Sequence, residues 1–213
     1  MNLIIQPFFL SPLTSAKMIH LKHYLNLPQQ RRFLELARQI ASSSPLFQPV
    51  MYSGKKINCQ MTSCGDFGWI SDRNGYRYDR LHPITHQPFC PMPKEFSDLA
   101  IKIAKSVGEF DYKPQSCLIN YYQKSGKLGI HQDNTEHNLL PAIISISLGD
   151  DAIFAIGGKK YSDPVSEITL KSGDVFVLHG DSRLFFHGIK KIIPSSNLLK
   201  NGGRLNLTIR QVI

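Results

Sequence analysis

Cysteine is scarce in this sequence, and its copies are scattered. The 213 residues include four cysteines, Cys59, Cys64, Cys90 and Cys117, and no two of them have Cys-x-x-Cys spacing. Metal-binding and redox cysteines commonly show that spacing, and four residues are too few for a disulfide framework in a chain of this length. We therefore expect a protein of a reducing compartment, the cytoplasm.

Long apolar runs are also missing. Residues 1–13, MNLIIQPFFLSPL, are apolar, but they lack a basic leading segment and are interrupted by Pro7 and Pro12. Signal peptides and membrane spans do not have that pattern. No internal repeat or low-complexity linker divides the chain, and 42% of its residues are hydrophobic, which is enough for one sizeable core. We expect a single domain over residues 1–213, a monomer without a membrane segment.

Acidic residues are outnumbered by basic ones. Asp and Glu total 16 against 25 Lys and Arg, which gives a net charge of +9. Such an excess favours a polyanionic partner such as nucleic acid. A basic surface that serves only solubility gives the same composition.

Two segments have the apolar spacing of amphipathic helices. The first runs from Pro28 to Ala41, with Asn26 as a candidate cap, and the second spans residues 96–107 and ends at Gly108. Residues 51–93 are rich in Gly, Pro, Asn and Asp, which is typical of loops and short hairpins rather than core elements. From Cys117 onward, short β-rich runs such as CLINYY, AIISISL, DVFVL, RLFFHGI and RLNLTIRQV follow one another. This order predicts an α+β, mainly β protein, a sandwich or jelly roll with helices packed on one side of a sheet.

A candidate metal site lies in GIHQDNTEHN, residues 129–138. Side chains alternate between the two faces of a strand, so His131 and Asp133 can point the same way and bind one ion. Downstream, His179 and His187 could each supply a third ligand, and His137 is a nearer candidate. Two histidines and one carboxylate form the facial triad of non-haem Fe(II) oxygenases. Taken alone, a His-x-Asp sequence is more often a polar surface or turn.

The last predicted strand carries polar residues on one face. In the strand RLNLTIR, alternation of side chains puts four polar residues on the same face: Arg204, Asn206, Thr208 and Arg210. The arginines are six residues apart, about 20 Å at roughly 3.3 Å per residue, so both could grip a short dicarboxylate between them. Asn120 and Tyr122 share a face of CLINYY in the same way. The alternatives are a half-buried strand whose polar face is in water, and a tyrosine that only packs in the core.

The order of these motifs resembles the AlkB family of Fe(II)- and 2-oxoglutarate-dependent dioxygenases. HQD at 131–133, SRLFFHG with His187, and RLNLTIR at 204–210 are similar to that family's His-x-Asp, distant His and Arg-x-Asn-x-x-x-Arg. The stretches MTSCGDFGW, NGYRYD, ISISLGDDAIFAIGG and SGDVFVL are similar to bacterial members, and the likeness begins at about residue 28. It implies a double-stranded β-helix, or jelly roll, with its catalytic core in residues 115–213. A nucleotide-recognition lid is then expected in residues 51–93 and an N-terminal helical extension in residues 1–50.

The resemblance also implies the residues of the site. Fe(II) would be held by His131, Asp133 and His187, which leaves His179 outside the site. O2 and 2-oxoglutarate would be the co-substrates, and 2-oxoglutarate would be held by Asn120, Tyr122, Arg204, Asn206 and Arg210. Arg204 is expected on the distal carboxylate and Arg210 at the iron-proximal end.

The implied reaction is oxidative demethylation of alkylated bases such as 1-methyladenine and 3-methylcytosine. 2-Oxoglutarate is converted to succinate and CO2, and the hydroxylated methyl group leaves as formaldehyde. A base inside a duplex cannot reach the metal, so the expected partner is single-stranded nucleic acid or a flipped-out base. An oxygenase acting on RNA or on a protein is one alternative, and a non-catalytic nucleic-acid binder with a structural zinc is another.

Substrate contacts are expected from the lid. Its stretches resemble the family's recognition segment and place Trp69, Tyr76 and Tyr78 as stacking residues, with Arg77 directed at phosphate. A single tryptophan is more often a core residue, but this one lies between GDFG and the polar run SDRNG. That setting favours a position at the rim of the site.

Two further positions depart from the family pattern. Thr135 stands where bacterial members commonly have an Asp that contacts the amino group of the damaged base, and Tyr161 stands where a basic residue is expected. A threonine hydroxyl accepts a hydrogen bond but offers no charge to a cationic base. We therefore expect both residues to contact substrate, with a weaker preference for cationic bases.

Overall fold

The structure is a computed structural model that describes residues 18–213, so the apolar stretch at residues 1–13 lies outside the described part of the chain. The helices are α1 (Leu27–Ser43) and α2 (Lys94–Ser106), and a short 3₁₀ helix spans Gly180–Leu184. The strands are β1 (Ile19–Leu21), β2 (Gln60–Gly65), β3 (Gly68–Asp72), β4 (Gly75–Asp79), β5 (Ser116–Tyr122), β6 (Leu128–His131), β7 (Ile143–Gly149), β8 (Asp151–Ile156), β9 (Ser166–Leu170), β10 (Val175–Leu178), β11 (His187–Ile193) and β12 (Arg204–Arg210). No helix among the described residues is long and apolar enough to span a membrane.

Most strands belong to two antiparallel sheets. The larger sheet has the order β1-β10-β7-β12-β5-β2, and the smaller has the order β6-β11-β8-β9. β12 lies between β5 and β7, with Arg204 opposite Tyr122 and Asn206 opposite Asn120. Strands β3 and β4 pair with each other as a separate hairpin. The predicted jelly roll in a mainly β protein is confirmed.

The two helices cover one face of the larger sheet. Helix α1 starts with a capping box in which Asn26 and Gln29 each accept the other's backbone N–H, at 3.0 and 2.9 Å. Phe33 of α1 and Phe96 of α2 pack in one cluster with residues of β5, β7, β10 and β12. Helix α2 ends before Gly108, whose φ of 93° suits a glycine. Both predicted helices are confirmed, and α1 extends slightly beyond the predicted ends.

A second apolar cluster fills part of the space between the two sheets. Leu118 and Phe176 of the larger sheet meet Phe154 and Ile189 of the smaller one there. On the larger sheet, Leu118 and Phe176 alternate along their strands with residues of the helix-covered cluster, as the period of two requires. The rest of the space is a cavity of about 550 Å³, and this cavity contains the candidate site.

The expectation that residues 51–93 avoid the core was wrong for part of that segment. Residues 60–65 form β2, which pairs with β5 along its whole length. Thr62 and Ser63 are completely buried, and the Thr62 hydroxyl donates to the carbonyl of Ser44 at 2.8 Å. Hydrophobic patterning does not identify such a strand, because its buried side chains include short polar ones. A hydroxyl such as that of Thr62 can be buried when it forms a hydrogen bond with a backbone group.

The predicted β run RLFFHGI is also only partly a strand. Residues 180–184 form the 3₁₀ turn, and β11 begins at His187. The turn lets Arg183 point inward, where its Nε donates to the Pro141 carbonyl at 2.9 Å. A buried charged residue needs hydrogen-bond partners. The turn at residues 180–184 replaces the predicted strand here, and it places Arg183 beside such a partner.

Burial is the common property of the cysteines. All four are free thiols; Cys59, Cys64 and Cys117 are buried and Cys90 is partly buried. Cys64 and Cys117 lie opposite each other on β2 and β5. Burial raises the pKa of Cys59 to about 12 and that of Cys117 well above its ordinary value.

Candidate active site

Three potential metal ligands meet at the edge of the smaller sheet. His131 ends β6, His187 begins β11, and these two residues lie opposite each other in the antiparallel register. Asp133 follows two residues after His131, and one ligand atom from each residue lies within 4.8 Å of the others. The Nε2 atoms of His131 and His187 are each 3.6 Å from a carboxylate oxygen of Asp133. His137 and His179 do not belong to this group in the described structure.

The orientation of both imidazoles fits a metal ion. Nδ1 of His131 is 2.9 Å from the carbonyl of Gly129, and Nδ1 of His187 is 2.9 Å from the carbonyl of Phe185. A carbonyl only accepts, so Nδ1 must carry the proton in each ring and Nε2 offers its lone pair to the shared centre. Backbone carbonyls commonly fix ligand histidines in this way.

Charges around Asp133 keep it ionised. Burial alone would raise the pKa of Asp133, but Arg210 and the two histidines lower it well below its usual value. Burial works against a proton on His131, yet the neighbouring Asp133 raises the pKa of that histidine. Proton and metal therefore compete for the same histidine nitrogen, as is usual at metal sites.

Arg204 fits an anion deeper in the same cavity. It is 1% exposed, and only its Nη2 has a partner, the Ser147 hydroxyl at 3.0 Å. Its Nε and Nη1 are buried without a partner, and its guanidinium lies 5.5 Å from the centre of the Tyr122 ring. Burial lowers the pKa of Arg204. A buried guanidinium with two free donors is costly unless a carboxylate of the kind that 2-oxoglutarate carries occupies the space beside it.

Arg210, at the other end of β12, already has anionic partners. Its Nη2 donates to Asp133 Oδ2 at 2.9 Å, and its Nη1 donates to Glu136 at 3.0 Å and to the Tyr78 hydroxyl at 2.9 Å. Nε is its one buried donor without a partner. Arg204 thus offers more free donors to a co-substrate than Arg210 does.

The two asparagines predicted to hold 2-oxoglutarate, Asn206 and Asn120, also differ in whether their amide atoms already have hydrogen-bond partners in the protein. Asn206 donates to Ser145 at 2.8 Å and to the Ile146 carbonyl at 3.0 Å, and it accepts from Thr208 at 2.9 Å. The Oδ1 of Asn120 is buried without a partner. All five residues predicted to hold 2-oxoglutarate line the one cavity, but the Asn206 amide is already occupied by the protein.

An aromatic pair lies beside the cavity on the β3–β4 hairpin. Trp69 and Tyr76 stack with ring centres 5.6 Å apart and planes at 19°, and Tyr76 is 50% exposed. The indole N–H of Trp69 points to the Thr135 hydroxyl at 3.4 Å. These three predicted substrate residues all line the cavity.

The other predicted substrate residues are placed differently. The Tyr78 hydroxyl turns inward and donates to Glu136 at 2.8 Å, and Arg77 pairs with Asp72 on its own hairpin at 2.9 Å. Tyr161 is 74% exposed and contacts Phe186 edge to face, with ring centres 5.5 Å apart. None of these three lines the described cavity.

A buried charge cluster, formed by Asp133, Glu136, Arg183 and Arg210, was not predicted from the sequence. The four residues are at most 8% exposed. Arg183 pairs with Glu136 at 3.1 Å and donates to the Asp133 carbonyl at 2.6 Å. The signal that could have identified Arg183 is its position inside the apolar run RLFFHGI, because a charge there needs a buried partner.

Comparison with known proteins agrees with this geometry. The family profile described as the 2OG-Fe(II) oxygenase superfamily matches residues 17–210. The chain is 39% identical to the alpha-ketoglutarate-dependent dioxygenase AlkB of Escherichia coli over 200 residues, which cover 94% of this chain and 92% of that protein. It is 43% identical to the DNA N(6)-methyladenine demethylase ALKBH1D of Arabidopsis thaliana, over 91% of this chain and 49% of that protein.

The solved structure of OsALKBH1 has the same fold. It superposes with a TM-score of 0.79 at 30% identity and covers 96% of this chain and all of its own. The profile match and the identity over nearly the whole chain agree with the triad and the free donors of Arg204. The chain therefore belongs to the AlkB family of Fe(II)- and 2-oxoglutarate-dependent dioxygenases.

Proposed function

We propose that this protein oxidatively demethylates alkylated bases of the 1-methyladenine and 3-methylcytosine type in nucleic acid. The methylated base, 2-oxoglutarate and O2 are together converted to the repaired base, formaldehyde, succinate and CO2. One observation carries the proposal: the metal triad and the unpaired donors of Arg204 share a cavity that a stacked aromatic pair flanks. A dicarboxylate can occupy the inner part and a planar base the outer part. The name of the similar Arabidopsis demethylase supports a nucleic-acid substrate.

The protein's part in this reaction is binding and orientation. Fe(II), when bound, supplies the oxidation of the methyl group by O2 with decarboxylation of 2-oxoglutarate. His131, Asp133 and His187 would hold the ion from one side and leave three positions open. Arg204 would bind the distal carboxylate of 2-oxoglutarate through Nε and Nη1. The free Nε of Arg210 would face the iron-proximal end.

Other residues complete the proposed 2-oxoglutarate site. The Asn120 carbonyl oxygen has no protein partner, and Tyr122 flanks Arg204. The Asn206 amide already donates to Ser145 and to the Ile146 carbonyl. Asn206 would therefore line the 2-oxoglutarate site and position Ser145. Charge also supports the arrangement, since the two carboxylates of 2-oxoglutarate would offset the charge of Arg204 and part of that of Fe(II).

The damaged base would stack against the aromatic pair. Trp69 and Tyr76 offer ring faces beside the metal triad, and base–aromatic stacking contributes about 1–3 kcal/mol per base. Thr135 lies next to them and presents a hydroxyl where a charge would favour a cationic base. Base preference in this protein would therefore depend more on stacking than on ion pairing.

Nucleic-acid backbone would follow the basic rim of the cavity. Lys55, Lys56 and Lys127 are exposed and line its opening, where their ammonium groups can meet phosphates. Arg77 would join them after exchange of its Asp72 partner, and Tyr161 would contact a flanking nucleotide. Because a paired base cannot reach the cavity, we propose a single-stranded or flipped-out substrate, bound by a monomer in the cytoplasm.

We propose a separate role for each of the three segments defined from the sequence. Residues 115–213 would form the catalytic core, and the β3–β4 hairpin within residues 51–93 would act as the nucleotide-recognition lid. Of the segment 1–50 expected as an N-terminal helical extension, the described part would support the larger sheet through α1, and its strand β1 pairs with β10 in that sheet. β2 lies inside the lid segment but belongs structurally to the catalytic sheet.

Turnover of a methylated oligonucleotide panel tests the proposal. The full chain is loaded with Fe(II) and 2-oxoglutarate without oxygen, oxygen and each single strand are added, and formaldehyde is measured. We expect release from 1-methyladenine and 3-methylcytosine, abolished in His187→Ala and largely retained in His179→Ala. A dead His179 variant beside an active His187 variant would contradict the ligand set.

The same panel separates the alternatives. Release from RNA strands alone would indicate an RNA demethylase, and no release from any strand would point to a protein substrate. A non-catalytic binder with a structural zinc is disfavoured, since it leaves the buried donors of Arg204 without an anion.

A further inference from the structure

The buried charge cluster connects the metal triad to the lid hairpin. Glu136 contacts both arginines: its Oε1 accepts from Arg210 at 3.0 Å, and its Oε2 lies 3.1 Å from Arg183. It also accepts from the Tyr78 hydroxyl of β4 at 2.8 Å. Glu136 does not line the cavity; its Oε1 is hydrogen-bonded, and its Oε2 faces Arg183 as an ion pair without a hydrogen bond.

Each arginine in turn holds one end of Asp133. Arg210 donates to the carboxylate of Asp133 at 2.9 Å, and Arg183 donates to its backbone carbonyl at 2.6 Å. The proposed metal ligand is thus fixed at both its side chain and its main chain. The two groups that fix it share Glu136 as their counter-charge.

We propose that Glu136 is a positioning residue for the metal centre, which holds Arg210 and Arg183 in the geometry that orients Asp133. The inference rests on the proposed ligand set. Glu136 and Asp133 balance the two arginines, so the cluster is neutral beside the metal. Without the charge of Glu136, Asp133 alone would neutralise two guanidinium groups, and its oxygens would be shared between them and the metal.

The expected size of the effect follows from similar arrangements. Loss of a group that orients a metal ligand typically weakens metal binding about 10- to 100-fold. The net charge beside the metal also rises by one when Glu136 becomes Gln, which acts in the same direction. Burial works against ionisation, but Arg210 and Arg183 lower the pKa of Glu136 overall, so its carboxylate is charged at neutral pH.

Titration with Mn(II), followed by the electron paramagnetic resonance signal of the free ion, tests the inference without turnover. The full chain is compared with Glu136→Gln, which keeps the shape, and with Glu136→Asp, which keeps the charge but shortens the reach. Glu35→Gln on the exposed face of α1 is the matched control for charge. His187→Ala defines the signal of a protein that lacks a proposed ligand, and circular dichroism checks that each variant is folded.

We expect Mn(II) binding about 10- to 100-fold weaker in Glu136→Gln, an intermediate value in Glu136→Asp, and native affinity in Glu35→Gln. Native affinity in a folded Glu136→Gln protein overturns the inference. If that variant does not fold, Glu136→Asp decides, and native affinity there overturns it equally. A native chain that binds Mn(II) no better than His187→Ala overturns the ligand set itself and, with it, this inference.

Discussion

Replacement of Arg204 by Met should change apo stability and co-substrate binding in opposite directions. Arg204 is the largest of the fully buried side chains, and two of its three nitrogens have no partner. A buried charge without an anion costs stability, and an apolar residue of similar length often relieves that cost. The same substitution removes the donors that the distal carboxylate of 2-oxoglutarate requires.

The magnitude follows from the bonds that would be lost. A hydrogen bond to a charged group contributes about 1.5–3 kcal/mol. Loss of one such bond weakens 2-oxoglutarate by about 10- to 150-fold, and loss of both by more. The expected gain in the stability of the ligand-free protein is smaller than this loss of binding energy. Met cannot donate the hydrogen bond that Arg204 makes to the Ser147 hydroxyl at 3.0 Å.

Thermal unfolding with and without ligand measures both effects. The native protein should be stabilised by Mn(II) with 2-oxoglutarate by about 2.7 kcal/mol when the ligand is at 100 times its dissociation constant. Arg204→Met should unfold at an equal or higher temperature alone and show little added stabilisation by 2-oxoglutarate. Arg32→Met, at an exposed arginine of α1 that pairs with Glu95, controls for surface charge. Native 2-oxoglutarate affinity in Arg204→Met would refute the reasoning.

Two further predictions concern base choice and acid stability. Thr135→Asp should raise the ratio of formaldehyde release from cationic 1-methyladenine to that from neutral methylated bases by about tenfold, since a carboxylate favours the charged base; an unchanged ratio would show that position 135 does not select the base. Asp174 is 1% exposed and pairs with His20 at 2.8 Å; burial would raise its pKa, but His20 and backbone N–H groups lower it. Its stabilising effect is therefore complete above the unfolded pKa of about 3.9 and is lost as the pH falls through the lower folded pKa. Urea unfolding of Asp174→Asn should show a shallower loss of stability below about pH 4, and a native slope would contradict this assignment.

Local patterns predicted the helices and the three motifs, because each depends on neighbouring residues. Helix periodicity and the capping residue Asn26 are local signals, and the two-residue spacing of His131 and Asp133 predicted their proximity, although β6 ends at His131 and Asp133 follows the strand. The same alternation placed Arg204 and Arg210 on one face of the last strand. All residues of β12 are nevertheless buried, because its polar face lines the cavity between the two sheets. The sequence of β12 alone does not show that a second sheet covers this face.

Features that depend on distant pairing escaped sequence analysis. Glu136 and Arg183 lie on separate segments, and nothing in either segment indicates their contact at 3.1 Å. Tyr78 shares an aromatic, basic hairpin with Tyr76, yet its hydroxyl turns to the interior and that of Tyr76 does not. Burial of Thr62 likewise depends on a distant partner, the carbonyl of Ser44 directly after α1. Tertiary contacts decided each of these cases.

The burial of Cys59, Cys64 and Cys117 limits their reaction with electrophiles such as methylating agents. Electrophiles attack thiolates rather than thiols, and a thiol with a pKa of about 12, such as Cys59, is ionised in about one molecule in 10⁵ at pH 7. Cys117 is shifted in the same direction, and it and Cys64 face each other beneath the helices. Three of the four sulfur atoms are thus shielded from such electrophiles, and Cys90 is the partly exposed one.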